Sequence, residues 1–118
     1  QTIIYLTSTE NNVLQYCNGN KMDSDGYRKT ITKETEANIP ASNDTVFLAK
    51  AIALLLFPAN SGNLHEIFAT GTFTFKNGII TVPFINSWAG VSIALCSAKP
   101  LLEVNLLRLP GVKQVIWQ

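Results

Sequence analysis

Hydrophobic and polar positions recur with different periods along the chain, and those periods predict its elements. Thr2 to Thr7 (TIIYLT) is β-branched and aromatic, which predicts a strand. A turn at Glu10-Asn11-Asn12 and a returning strand over Val13 to Cys17 follow. Asn18 to Gly26 (NGNKMDSDG) reads as a loop, because Asn, Asp and Gly tolerate left-handed backbone and bond their own main chain. Polar residues alternate with Tyr27 and Ile31 up to Lys33, which predicts a third, mostly exposed strand. Thr35 to Ser42, with Pro40, reads as a connector.

Asp44 to Phe57, DTVFLAKAIALLLF, predicts a helix. Ser42 or Asn43 can cap it, Asp44 suits its positive end, and Pro58 stops it. Apolar residues occupy every face, and Lys50 is the only charge beyond the first turn. A surface helix of a small domain should show one polar face. This one therefore calls for cover from its own fold, a partner or lipid. At about 1.5 Å per residue it reaches about 21 Å, too short to cross a hydrocarbon core of roughly 30 Å.

Leu64 to Phe68 is compatible with a helical turn. Thr70 to Lys76, Asn77-Gly78 and Ile79 to Phe84 predict a hairpin with a type I′ turn. Closing it there sets Phe75 opposite Ile80, Phe73 opposite Val82 and Thr74 opposite Thr81. Val91, Ile93 and Leu95 alternate with small residues up to Cys96, giving another strand. Leu101 to Leu109 fits two periods: Leu102, Val104 and Leu106 alternate, while Leu102, Asn105, Leu106 and Leu109 form a helical stripe. The strand reading is preferred, and Val112 to Trp117 closes the chain as a last strand. The sum is one α+β domain over 1–118: a mainly antiparallel sheet of six to eight strands packed with one long apolar helix.

Composition narrows the classes. The 118 residues are 47% apolar and 14% charged, against a usual charged share of about 25%. That is too short for two ordinary domains and too apolar for disorder. A formal charge of +1 is too small for a nucleic-acid binder working through phosphate neutralisation. Charge is also uneven: residues 1–45 hold six acids and four bases, and residues 46–118 hold two acids and five bases. A polar front thus precedes a sparsely charged, weakly cationic block.

The chain opens on Gln1 rather than Met, with no signal-like segment before Thr2, which fits a mature secreted protein after removal of a signal peptide. Asn43-Asp44-Thr45 is an N-glycosylation sequon. Cys17 and Cys96 are the two cysteines, so one pairing exists. A bridge between them would close a loop of about 80 residues, worth about 4.5 kcal/mol in the chain-entropy model.

Candidate chemistry is sparse. Nucleophilic catalysis needs a nucleophile, a base and an orienting group, and His65 beside Glu66 is the only histidine. Asp23-Ser24-Asp25-Gly26 has part of a calcium-loop pattern, but Lys21 and Thr32 stand where ligands belong. Glu34 and Glu36 would share a face of an extended segment, with no aromatic platform beside them. Zinc clusters, dinucleotide fingerprints and P-loops are lacking. The sequence thus predicts no catalytic residue, metal site or cofactor, and no nucleic-acid partner.

The greasy, weakly cationic block with an apolar helix at its head points to a secreted effector or toxin, membrane-active and antimicrobial in character. As a class, small fungal killer toxins have a similar general profile: secreted, processed and disulfide-linked. The candidate contacts with membrane lipid, a cell-surface receptor or a glycan are Phe47, Lys50, Leu54 and the loop residue Trp88. Two alternatives fit the same residues. One is an extracellular binding module, lectin-like or carrying a small apolar ligand. The other is a self-assembling subunit, covered by another copy or by a second chain of the same precursor.

Overall fold

The computed structural model describes residues 2–8, 17–18, 21–22, 31–83 and 93–117. In chain order these form β1 (Thr2–Ser8), β2 (Cys17–Asn18), β3 (Lys21–Met22), β4 (Ile31–Asn38), α1 (Thr45–Leu56), α2 (Asn63–Thr70), β5 (Thr74–Lys76), β6 (Ile79–Val82), α3 (Ile93–Leu106) and β7 (Gln114–Trp117). The fold is not the one the sequence predicts. Three short helices replace one long apolar helix, and the strands divide into an antiparallel β1–β4 ribbon, a β2–β3 pair and a mixed sheet ordered β5-β6-β7.

The largest departure is α3. Positions 93–96, predicted as strand, and the 101–109 segment, read as strand by preference, belong to or follow one helix that contains Pro100. The helical stripe decides it: Ala98, Leu102, Asn105, Leu106 and Leu109 are all buried. Asn105 keeps its amide satisfied by donating Nδ2 to the Leu101 carbonyl at 2.9 Å. A helix between β6 and β7 also explains why that pair runs parallel, since a parallel return needs a crossover of a dozen or more residues.

Local chemistry builds the rest. Asp44 caps α1, its carboxylate accepting from the Val46 and Phe47 amides at 3.0 and 3.2 Å. Ser42 Oγ accepts from the Asp44 amide in turn. The helix ends at Phe57, whose carbonyl accepts from His65 Nδ1 at 3.0 Å, so α2 satisfies the end of α1. The β5–β6 hairpin pairs Phe75 with Ile80 and Thr74 with Thr81. Asn77 and Gly78 both take positive φ, 54° and 79°, as a type I′ turn requires. The Gly78 carbonyl accepts from the amides of Lys113 and Gln114, which seats β7 beside β6.

β1 pairs with β4, which extends to Asn38 through part of the predicted connector. The turn at 10–12, residues 13–16 and the acidic turn at 23–26 lie outside the described residues. The core lies between the helices and the inner face of the mixed sheet. Ile52 of α1, Phe68 of α2, Ile80 and Val82 of β6, and Leu102 and Leu106 of α3 are its most deeply buried large residues. Phe57, Phe68 and Phe73 run through it as tilted rings with centroids 5.4 and 6.2 Å apart.

Candidate functional site

Successive residues of an α-helix are about 100° apart, so the burial along α1 maps directly onto its faces. Leu48, Ala49, Ile52 and Ala53 are buried and define the core side, against α2, α3 and β5. The opposite side centres on Phe47. Leu54 lies about 20° from it and Ala51 about 40°, while Lys50 stands about 60° to one side and Leu55 about 80° to the other. Phe47 is 43% exposed and Leu55 39%; Lys50, Ala51 and Leu54 are half-buried.

The outward face of α1 is therefore an apolar strip about 12 Å long with one cation on its border. Three of the predicted contact residues, Phe47, Lys50 and Leu54, share it. The fourth, Trp88, lies outside the described residues. Leu55 belongs to the strip and was missed, although its eight-residue spacing from Phe47 is a helical period.

Asn43 of the sequon is exposed just before the helix. Cys17 lies in β2 and Cys96 in α3, and these two elements pack against each other. Glu34 and Glu36 stand two apart on β4, opposite Leu6 and Ile4 of β1.

His65 donates to the Phe57 carbonyl and so serves α1 structurally; Glu66 beside it is exposed. Among the described residues no group of three or more His, Cys, Asp or Glu could hold a metal ion. A second surface feature is an open groove of about 400 Å³ on the outer face of the mixed sheet, lined by Thr74, Lys76, Asn77, Ile79, Thr81 and Ile116. It is a depression on a flat sheet, whereas small-molecule sites enclose most of their ligand. Set against known proteins, the chain matches no family model, no curated relative and no solved structure.

Proposed function

We propose that the protein is a secreted effector that acts on membranes of other cells, laying the outward face of α1 into the lipid interface. The observation that carries this is the helix itself: its outer side exposes Phe47 and Leu55, with the half-buried Ala51 and Leu54 between them reaching the core, where a surface helix of a soluble domain would present charge. Such a face sinks about 5–10 Å into the boundary between headgroups and acyl chains. Lys50 at the border and the basic excess over 46–118 favour anionic lipid. No helix among the described residues is long and apolar enough to cross a membrane, so the mode is interfacial. The contact of β2 with α3 supports a Cys17–Cys96 bridge as part of this reading, and the exposure of Asn43 leaves its sequon accessible.

Binding and dye release with vesicles of phosphatidylglycerol and phosphatidylcholine test the proposal. Phe47 exposes 43% of roughly 200 Å², and at about 25 cal/mol per Å² its transfer is worth about 2 kcal/mol. Phe47→Ser should thus weaken vesicle binding about thirtyfold while leaving the thermal midpoint nearly unchanged. Lys50→Glu should weaken binding to anionic vesicles and spare zwitterionic ones. Failure to bind or permeabilise any vesicle, or equal binding by Phe47→Ser, overturns the proposal.

A further inference from the structure

The β5–β6 turn places a reactive pair of residues at a joint of the mixed sheet. Asn77 is exposed and Gly78 half-buried, and φ is 54° at Asn77 and 79° at Gly78. The Lys76–Ile79 pair closes the strands behind them. The Gly78 carbonyl accepts from the Lys113 and Gln114 amides at 2.8 and 3.2 Å, so the turn that ends the hairpin also seats β7. Contact there is close: a Cβ on Gly78 would lie 3.3 Å from the Gly111 carbonyl oxygen and 3.4 Å from the Lys113 side chain.

An asparagine followed by glycine can consume its own side chain. Gly78 has no Cβ to hinder its nitrogen, and among the described residues that nitrogen donates no main-chain hydrogen bond. On losing its proton it can attack Asn77 Cγ. An N–C bond forms, the Cγ–Nδ2 bond breaks, and ammonia leaves with a proton, closing a five-membered succinimide. Water then opens the ring at one of its two carbonyls. Cleavage at Cγ gives aspartate with the main chain unchanged. Cleavage at the main-chain carbonyl gives isoaspartate, whose main chain runs through the side chain and is one carbon longer.

The closed turn forbids the first step. A type I′ turn mirrors type I and so holds its first central residue at ψ near +30°, which sets the next nitrogen nearly opposite Cβ. Ring closure needs that nitrogen on the same side as Cβ. A large rotation about ψ has to come first, and it breaks the turn. We infer that Asn77 is a self-modifying site gated by the hairpin: inert while β5–β6 is closed, converted when it opens, and in the isoaspartate form unable to close again. A two-residue turn has no room for an added main-chain carbon, so the Gly78 carbonyl leaves its place and β7 loses its seat. Aspartate behaves differently, because Asp-Gly also makes a type I′ turn. The site is independent of the membrane proposal, which rests on α1.

The test ages the full chain at mildly alkaline pH, folded and in urea, beside a peptide of residues 74–82. Peptide mapping reads the mass gained when the amide becomes a carboxylate and separates Asn77 from Asn18, which glycine also follows. Enzymatic methylation marks isoaspartate. Asn77 should be lost at least about tenfold more slowly in the folded chain than in urea or in the peptide. On an Asn18→Gln background, the isoaspartate form is isolated by ion exchange and refolded. It should melt below the parent and lose amide-exchange protection at Lys113 and Gln114, while Asn77→Asp should keep both. Equal loss in the folded and unfolded chain, no loss in any of the three samples, or an isoaspartate form as stable and as protected as Asn77→Asp overturns the inference.

Discussion

Gly71→Ala probes the point where α2 hands the chain to β5. The Gly71 amide donates to the Ile67 carbonyl at 2.8 Å and closes the helix. Its backbone, φ −75° and ψ 164°, is open to any residue, so torsion does not demand glycine. Space does: a Cβ would sit 2.4 Å from Pro83 Cβ, 2.6 Å from the Ile67 carbonyl oxygen and 2.7 Å from Pro83 Cγ. Carbon atoms pack at about 3.5–4.0 Å, so the overlap exceeds 1 Å. Neither neighbour can rotate away, since one is helix backbone and the other a buried ring. Forcing them apart costs about 1–3 kcal/mol in overpacking and about 1 kcal/mol if the capping bond opens. The stiffer unfolded chain returns about 0.5 kcal/mol. The net loss is about 1.5–3.5 kcal/mol, or about 6–14 °C in thermal midpoint for a chain of this size. Thermal and urea unfolding followed by circular dichroism read it. A fall of under about 2 °C would show that the α2 terminus and the end of β6 do not approach this closely.

Two further changes test how the outer elements are fastened. Trp117 donates Nε1 to Glu103 Oε1 at 2.6 Å, and its ring lies 5.8 Å from Lys99 Nζ. Trp117→Phe should cost about 2 kcal/mol in urea unfolding, because the charge-assisted bond to Glu103 is lost with the indole N–H. Asp44→Ala removes the acceptor of the Val46 and Phe47 amides and should cost about 1 kcal/mol, while Asp44→Ser should recover most of it.

The legible parts of this chain were those fixed by neighbours in sequence. A carboxylate two residues before Val46 and a proline after Phe57 bound α1, and Asn77-Gly78 admits little except a tight hairpin. Partner choice was not legible. β1 pairs with β4 from more than twenty residues further along the chain, and β7 finds β6 across the whole of α3. The misreading of α3 has a physical cause. Alternation and a helical stripe coexist over 101–109, and Pro100 lacks the amide that would bond residue 96, which argues locally against a helix. Burial overrides that, since the helix places Leu102 and Leu106 wholly inside. The candidate site was legible for a related reason: Phe47, Lys50 and Leu54 share a face by helical geometry alone, whatever the helix packs on.

The exposed strip on α1 follows from geometry rather than from poor packing. A chain of this length buries about two-thirds of its unfolded surface, and a helix laid on the outside of a small core can cover only one side. Most sequences place polar residues on the other side; this one exposes Phe47 and Leu55 there, flanking the half-buried Ala51 and Leu54. Leu107 and Ile116 are comparably exposed, at 38% and 40%. They lie singly on other elements, and single exposed hydrophobes are ordinary. Spacing separates the two cases: residues seven and eight apart on one helix sum to a continuous apolar contact, and isolated ones do not. A loss of binding confined to substitutions on α1, with Leu107→Ser and Ile116→Ser neutral, is therefore the pattern expected of a built surface. Equal losses at all these positions would instead reduce vesicle binding to general greasiness.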